Sequence, residues 1–190
     1  KVYEANITII DALKKTDFDN KGKFFFERYI SAHSIMIAFE GVPAIYFNSL
    51  FGKSNDEAKY VITGNNRDVN RYKWSYENIT KKLKNKNAKQ SIFYQNLVEL
   101  LEIKRKQKAF HPNAKRLNIN LGSKIFCYER ISLDKKQTII CITNLSTKLQ
   151  YIKINKNLIK YRDLIGRKTF FTLDKKIKLD PCQTIWLSNR

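Results

Sequence analysis

The sequence predicts an α/β part over residues 1–111, followed by a small all-β antiparallel domain over residues 112–190. Apolar residues recur at helical spacing in the first part, whereas short strand-like runs separated by polar turns dominate the second. The run Phe110-His111-Pro112-Asn113 marks the change, so we place the boundary there. With 43% hydrophobic residues, the chain of 190 residues can bury a core, which excludes disorder as its main state.

The first predicted elements are a helix and a buried strand. Within residues 23–39, the spacing i, i+4, i+7, i+11 marks one helical face: Phe25, Tyr29, Ala32 and Met36. Gly41 and Pro43 then end this helix. Residues 44–47 (AIYF) lack polar alternation, which is typical of a strand covered on both faces. A helix, a tight turn and such a strand make up the αβ unit of a parallel sheet.

A long loop and a second helix are predicted next. Residues 48–76 show no sustained periodicity and are rich in Gly and Asn, so we expect a loop. Loops of this length are usually functional, and α/β barrels build their sites on the loops that follow their strands. A helix over residues 90–106 places five residues on one face: Phe93, Leu97, Leu100, Leu101 and Lys104. The basic residues at its end complement the helix dipole.

Short runs in the second part are predicted to be strands. They cover residues 124–132, 138–144, 149–155, 169–173 and 184–187. Turn signals separate them: Asp134-Lys135-Lys136, Leu145-Ser146-Thr147, Gly166 and Asp174-Lys175-Lys176. This regular spacing is typical of an antiparallel sandwich or barrel.

The charge balance raises the question of a nucleic-acid partner. Lys and Arg number 37 against 17 Asp and Glu, which leaves a net charge of +20. Such a charge can neutralise phosphates. However, the basic residues are spread along the chain, Lys, Asn and Ile are abundant together as AT-rich coding would produce, and no RNP, GXXG or finger motif is present. We therefore expect no nucleic-acid partner.

Other classes are disfavoured by what the sequence lacks. No apolar run approaches the roughly 20 residues that span a bilayer, so we expect neither a membrane segment nor a signal peptide. Cys127, Cys141 and Cys182 lie far apart without CxxC spacing, which favours neither disulfides nor a metal site. A reducing cytoplasm is the simplest location. Because the chain begins at Lys1 and Met36 is its one methionine, we interpret it as a fragment of something longer.

Few residues are candidates for chemistry on their own evidence. Four carboxylates lie in or beside predicted loops: Glu4, Asp56, Glu57 and Asp68. Carboxylates about 5–5.5 Å apart can cleave glycosides, but solvated or salt-bridged loop residues are the alternative interpretation. Arg67 is an anion-binding candidate, because a guanidinium makes bidentate contacts with phosphate or carboxylate. Its structural alternative is pairing with Asp68 or Glu57. His33 and His111 are assigned a local hydrogen bond and a turn role.

Two segments resemble the α-amylase superfamily, glycoside hydrolase family 13. Residues 40–52 (EGVPAIYFNSLFG) resemble the PGIPxIYY…GxxxG element around its last barrel strand. Residues 52–56 (GKSND) and 63–71 (TGNNRDVNR) resemble the GxxND…TxxGRDINR segment of the sucrose phosphorylase subfamily. The second match narrows the resemblance from the superfamily to that subfamily.

Three further segments resemble the same subfamily and occur in the right order. Residues 3–13, which contain YEAN and DAL, resemble its YxxN…ALx loop. Residues 109–114 (AFHPNA) are similar to its linker into the β-sandwich, and residues 179–187 (LDPCQTIWL) to its final strand, LxPYQxxWL. The resemblance thus covers nearly the whole chain. It implies the final β/α units of a (β/α)8 TIM barrel followed by a small antiparallel β-sandwich domain.

The family chemistry that the resemblance implies is that of a retaining sugar phosphorylase. An Asp nucleophile forms a glucosyl-enzyme, a Glu acts as acid/base, and phosphate replaces water to give α-glucose 1-phosphate. The implied partners are phosphate and a glucoside substrate, without metal or organic cofactor. The family's catalytic carboxylates lie upstream of the segment that matches Lys1, so we expect no catalytic residue in this chain. The missing N-terminal barrel segment would then be its partner.

The resemblance also implies acceptor-side residues at the matching positions: Tyr3, Glu4, Asn6, Asn55, Asp56 and Arg67. Arg67 matches the arginine that contacts acceptor or phosphate, and Tyr3 and Glu4 fall in a mobile loop. Glu4 stands where enzymes acting on sucrose commonly have Gln, and it is closer to relatives that act on glucosylglycerate or sucrose 6-phosphate. A carboxylate there should repel phosphate unless a base such as Arg67 screens it. Asn66 replaces a Gly and tolerates a left-handed conformation less freely.

Three functions follow from these patterns. The first is the C-terminal part of a family 13 sugar phosphorylase. The second is a hydrolytic or transglycosylating relative in the same superfamily. The third is a basic module that binds nucleic acid or an anionic glycan.

Overall fold

The computed structural model describes residues 4–155, 157–158, 160–166 and 176–190. The helices in these ranges are α1 (Ile9–Ala12), α2 (Phe25–Ala38), α3 (Phe47–Leu50), α4 (Glu57–Thr63), α5 (Tyr76–Lys84) and α6 (Lys89–Arg105), with 3₁₀ turns at Asn66–Val69 and Lys108–Phe110. The strands are β1 (Lys115–Asn120), β2 (Ile125–Ile131), β3 (Thr138–Asn144), β4 (Gln150–Lys153), β5 (Arg162–Asp163), β6 (Lys176–Leu179) and β7 (Thr184–Ser188). These residues form two compact units. The first ends at Phe25 and resumes over Ala44–Val98; the second comprises Phe26–Pro43 and the chain from Glu99 onward.

The second unit is built on a five-stranded sheet of order β1-β2-β3-β7-β5. Every neighbouring pair in it is antiparallel. Strands β4 and β6 form a separate antiparallel pair. The antiparallel sheet that the spacing of the strand-like runs predicts is therefore confirmed.

One face of the five-stranded sheet shares a hydrophobic core with the β4–β6 pair. Alternate residues of a strand point to the same face, so each strand contributes every second side chain to this core. The buried members are mainly Ile and Leu: Ile125, Cys127, Ile140, Ile142, Ile152, Ile154, Ile177, Leu179, Ile185 and Leu187. Burial of this one cluster stabilises both sheets together.

The opposite face of the five-stranded sheet packs against α2 and the 3₁₀ turn Lys108–Phe110. The Tyr128 hydroxyl donates to the Ile35 carbonyl oxygen over 3.3 Å. The rings of Phe110 and Trp186 meet edge to face with centroids 4.9 Å apart. Tyr128 and Trp186 occupy the strand positions between the core residues, so the alternation of the strands directs them to this side.

Helix α2 confirms the predicted helix over residues 23–39, although Tyr29 is the one buried residue of the four on its predicted apolar face. The buried residues of α2 are Tyr29, Ser31, His33, Ser34, Ile37 and Ala38. Ala32 and Met36, which the apolar spacing assigns to the core face, are half-buried. Small polar residues occupy the buried face because their hydroxyl groups are satisfied within it: Ser34 donates to the Ile30 carbonyl oxygen over 2.8 Å.

Helix α6 confirms the second predicted helix, over residues 90–106. Phe93, Leu97 and Leu100 of its predicted apolar face are buried, with 0–2% of their surface exposed. Leu101 and Lys104 lie at the margin of that face and are half-buried. In this helix, periodicity correctly identified both the element and its buried side.

Residues 44–47 do not form the buried strand that their apolar run predicts. Residues 44–46 belong to no helix or strand, Tyr46 has an extended backbone, and α3 begins at Phe47. Tyr46 and Phe47 are each 54% exposed. A buried strand needs hydrogen-bonded neighbours, and none of the described strands pairs with this segment.

The remaining differences concern short elements. The region 48–76, predicted as a loop, contains α4 and the 3₁₀ turn Asn66–Val69, and α5 begins at its end. Strands β1, β5 and β6 were not predicted, because β1 is largely exposed, β5 has two residues, and β6 begins where the sequence indicates a turn. The predicted strand over residues 169–173 lies outside the described residues. The two compact units divide the chain elsewhere than at residue 112, and the domain boundary there stays a prediction.

Candidate functional site

The candidate acceptor-side residues belong to the first unit, where Asn55 anchors the short helix α1. Asn55 Oδ1 accepts hydrogen bonds from the Thr8 backbone N–H over 2.8 Å and from the Thr8 hydroxyl over 3.0 Å. The Asn55 N–H donates to Asp11 Oδ2 over 2.6 Å. Since Thr8 is itself the N-cap of α1, Asn55 ties the loop after α3 to the start of that helix.

Asp56, the second residue of the ND motif, is the N-cap of α4. Its Oδ1 accepts from the Lys59 backbone N–H over 3.3 Å, which satisfies one of the free donors at the start of the helix. Gly64 ends α4 in the left-handed conformation, with a φ of 64°. The Asp56 N–H also donates to the Val69 carbonyl oxygen over 2.7 Å. Asp56 therefore fixes both α4 and the turn that follows it.

That turn carries Arg67, whose side chain pairs with Glu4. Arg67 Nη2 lies 3.2 Å from Glu4 Oε2, and the two side chains are 52% and 36% exposed. The Asn65 side chain caps the turn by accepting from the Arg67 N–H over 3.1 Å. Asn66 lies within the turn and outside the left-handed region, because the non-glycine residues of positive φ in the described ranges are Lys135 and Cys182.

The structural alternatives predicted for Arg67 differ from the pairing observed. Asp68 pairs with Lys59, whose Nζ lies 3.0 Å from Asp68 Oδ1. This contact with Lys59, followed by one with the Thr63 hydroxyl, lowers the pKa of the Asp68 carboxyl. Arg67 instead forms its ion pair with Glu4, which lies 63 positions earlier in the chain. The sequence provided no signal for Lys59 as the partner of Asp68.

The two remaining candidates are Asn6 and Tyr3. Asn6 is half-buried, and its Oδ1 is shielded from solvent without a hydrogen-bond partner among the described residues. Tyr3 lies outside the described residues. The structure therefore brings Glu4 and Arg67 together in a direct contact, whereas Asn55 and Asp56 support the loops beside them.

The histidines and cysteines have structural environments. His33 Nδ1 lies 2.9 Å from the Tyr29 carbonyl oxygen, which confirms the predicted local hydrogen bond, and burial lowers the pKa of His33. His111 Nδ1 accepts from the Asn113 N–H over 3.2 Å in the predicted turn. Cys127, Cys141 and Cys182 are all buried.

Metal and membrane sites can be assessed within the described ranges. No group of three or more His, Cys, Asp or Glu residues there is placed to hold a metal ion. None of the helices described combines the length and apolar character that a bilayer crossing requires.

Sequence relatives identify the family of the chain. It is 31% identical over 188 residues to the glucosylglycerate phosphorylase of Escherichia coli (strain K12), a match that covers 97% of this chain and 32% of that protein. The glucosylglycerate phosphorylase of Spirochaeta thermophila is 28% identical over 144 residues, which covers 76% of this chain and 24% of the relative. The chain is homologous to the sugar phosphorylases of glycoside hydrolase family 13. It spans about a third or less of the length of these curated relatives.

Solved structures agree on the fold. AmyP in complex with maltose superposes with a TM-score of 0.66 at 16% identity, over 86% of this chain and 34% of that one. The trehalose-6-phosphate hydrolase of Bacillus licheniformis gives a TM-score of 0.63 at 14% identity, over 90% and 40%. At these identities the likeness concerns the fold alone. No protein-family profile matches the chain.

Proposed function

We propose that this chain is the C-terminal part of a retaining sugar phosphorylase that transfers glucose from a glucosylglycerate-like donor to phosphate. The observation that carries the proposal is the match, over 97% of the chain, to a protein named glucosylglycerate phosphorylase. Glu4 supports the same donor class, because this position resembles relatives that act on glucosylglycerate or sucrose 6-phosphate more than those that act on sucrose. The product would be α-glucose 1-phosphate.

Arg67 is the residue we propose for binding phosphate or the acceptor. Its side chain is half-exposed, and its guanidinium already holds one carboxylate, that of Glu4, at 3.2 Å. An exposed ion pair of this kind contributes only about 0–1 kcal/mol, so a dissolved oxyanion can compete for the guanidinium. Glu4 would then be released to a hydroxyl group of the leaving sugar acid, with Asn6 and Tyr3, its near neighbours in sequence, as further candidates for that contact.

Asn55 and Asp56 are proposed to act by holding this arrangement in place. Their hydrogen bonds fix the start of α1 and the start of α4, the two helices that flank the Glu4 and Arg67 segments in sequence. The mechanism needs this support because a group misplaced by about 1 Å can cost about 100-fold in rate. A substrate contact is also proposed for both residues, through side-chain atoms that these hydrogen bonds do not use.

The catalytic carboxylates are proposed to lie in a part of the parent protein that precedes Lys1. Tyr46 and Phe47 support this, because each is 54% exposed and a preceding part of the protein would give these apolar side chains a surface to pack against. The chain of 190 residues alone should therefore be inactive.

The test uses a full-length protein that carries this segment, incubated with glucosylglycerate, sucrose or sucrose 6-phosphate. Release of glucose 1-phosphate only when phosphate is present supports the phosphorylase, and the fastest donor identifies the substrate. Free glucose released at an equal rate without phosphate would favour the hydrolytic or transglycosylating alternative. Turnover by the 190-residue chain alone would show that the proposed placement of the carboxylates is wrong.

A further inference from the structure

The second unit contains a cavity of about 740 Å³ at the end of α6. This volume lies within the range of about 300–1,000 Å³ that is usual for small-molecule sites. Its apolar wall includes Val42, Pro43, Leu101 and Leu133. Val42 is 82% exposed and Leu133 60% exposed, so this wall is open to a ligand from solvent.

The lining is also basic, and part of its charge lacks an acidic partner. Arg105 pairs with Glu102 at 2.7 Å, and Lys108 pairs with Asp134 at 3.3 Å. Asp134, the one acidic residue of the lining, also accepts from the Ser132 hydroxyl over 2.6 Å. These pairs leave Lys104 and Lys106 without a carboxylate partner among the residues that the structure describes.

Lys104 illustrates the effect of this excess of positive charge. Its Nζ donates to the Phe110 carbonyl oxygen over 3.2 Å, which is a neutral acceptor. Burial and the neighbouring positive charge of Arg130 lower the pKa of Lys104. The C-terminal dipole of α6 supplies only about half a negative charge, less than the two unpaired cations carry. An anionic group in the cavity would compensate the positive charges of Lys104 and Lys106 through charge-assisted hydrogen bonds.

We propose that this cavity binds an amphipathic organic anion. The ligand class is a molecule with one sulfonate, phosphate or carboxylate group next to an apolar ring or short chain. Its anionic group is held by Lys104 and Lys106, and its apolar part lies against Leu101, Leu133 and Val42. Inorganic phosphate alone does not use the apolar wall, so this site differs in ligand class from the one proposed around Arg67.

The experiment is a fluorescence titration of the 190-residue chain with anilinonaphthalene sulfonate, an aromatic anion. The uncharged N-phenylnaphthylamine, which has the same rings, serves as the matched probe. Lys106→Glu should weaken binding of the sulfonate by about tenfold, since an attraction becomes a repulsion, and should leave the uncharged probe unchanged within about twofold. Leu133→Asp should weaken both probes. Circular dichroism verifies that each variant is folded.

The control is Lys84→Glu, which makes the same charge change at the exposed end of α5 in the first unit. It should change the affinity for the sulfonate by less than about twofold. Equal weakening by Lys106→Glu and Lys84→Glu would mean that net charge alone attracts the probe, and the proposal would be rejected. Equal loss of both probes in Lys106→Glu would reject it too, because the cation would then have no specific role.

Discussion

The Arg130 guanidinium donates a hydrogen bond over 2.7 Å to the carbonyl oxygen of Ala38, the last residue of α2. The last carbonyl groups of a helix have no partner within it, and a cation there also complements the helix dipole. Arg130 Nη2 donates to the His111 carbonyl oxygen over 2.7 Å. A single arginine, fully buried in β2, thus joins the end of α2 to the turn before β1.

We expect Arg130→Met to lower the free energy of unfolding by about 3 kcal/mol, because buried carbonyl groups lose charge-assisted donors. Urea denaturation followed by circular dichroism measures this change. Arg105→Met is the control, since the Arg105 side chain is 73% exposed and its loss should cost less than about 0.5 kcal/mol. Equal costs would mean that the contacts of Arg130 contribute no more than an arginine on the surface.

A side chain at Gly52 should destabilise the first unit more than one at Gly64. Its φ is +54°, and a Cβ atom there would lie 2.7 Å from Phe93 Cγ. Gly64 is a matched control, because its φ is +64° and nothing lies within 4 Å of its Cβ position. Gly64→Ala should cost about 1–2 kcal/mol for the left-handed backbone alone. Gly52→Ala should cost about 1–3 kcal/mol more because the Phe93 ring must move. Similar denaturation midpoints for the two variants would contradict this steric argument.

In a full-length protein, Arg67→Ala should raise the KM for phosphate by about tenfold or more, through loss of a charge-assisted contact. The KM for the glycosyl donor should rise less. Steady-state kinetics with each substrate varied in turn measures both. Arg71→Ala, which removes an exposed arginine four residues later, should leave both values within about twofold. An unchanged phosphate dependence would show that Arg67 does not bind the attacking anion, even if the protein is a phosphorylase.

Asp134 should contribute a pH-dependent part of the stability of the second unit. The Ser132 hydroxyl, the Lys136 N–H and Lys108 hold the pKa of its carboxyl below the ordinary value. Because the folded-state pKa is depressed, the stabilisation is present above the unfolded pKa of about 3.9 and is lost as the pH falls below it. Asp134→Asn should therefore flatten the fall in unfolding free energy between about pH 5 and pH 2.

The control for this effect is Asp17→Asn, which removes one negative charge from an exposed position in the first unit. It should leave the acid side of the stability curve unchanged. Urea titrations at a series of pH values give the unfolding free energies of the wild-type protein, Asp134→Asn and Asp17→Asn. If Asp134→Asn showed the wild-type slope, its hydrogen bonds would not favour the charged carboxylate over the neutral acid.

The sequence by itself determined the elements whose signal is local. Periodicity along the chain identified α2 and α6, and short strand-like runs between turn signals identified β2, β3, β4 and β7, because each signal lies within or beside one element. The ND motif and the segment around Arg67 determined the family, because the resemblance depends on residues and their order. Strand β1 was not predicted, because its residues are mostly exposed and carry no clear apolar alternation.

Only the tertiary structure decided which of these elements and side chains meet. The sheet behind α2 determined that His33 and Ile37 are buried rather than Ala32 and Met36, a choice of phase that helical periodicity leaves open. The pairing of Arg67 with Glu4 across 63 positions depends on the path of the chain between them. The apolar run at residues 44–47 likewise could not be assigned correctly from sequence, because a strand forms only where another strand supplies its hydrogen bonds.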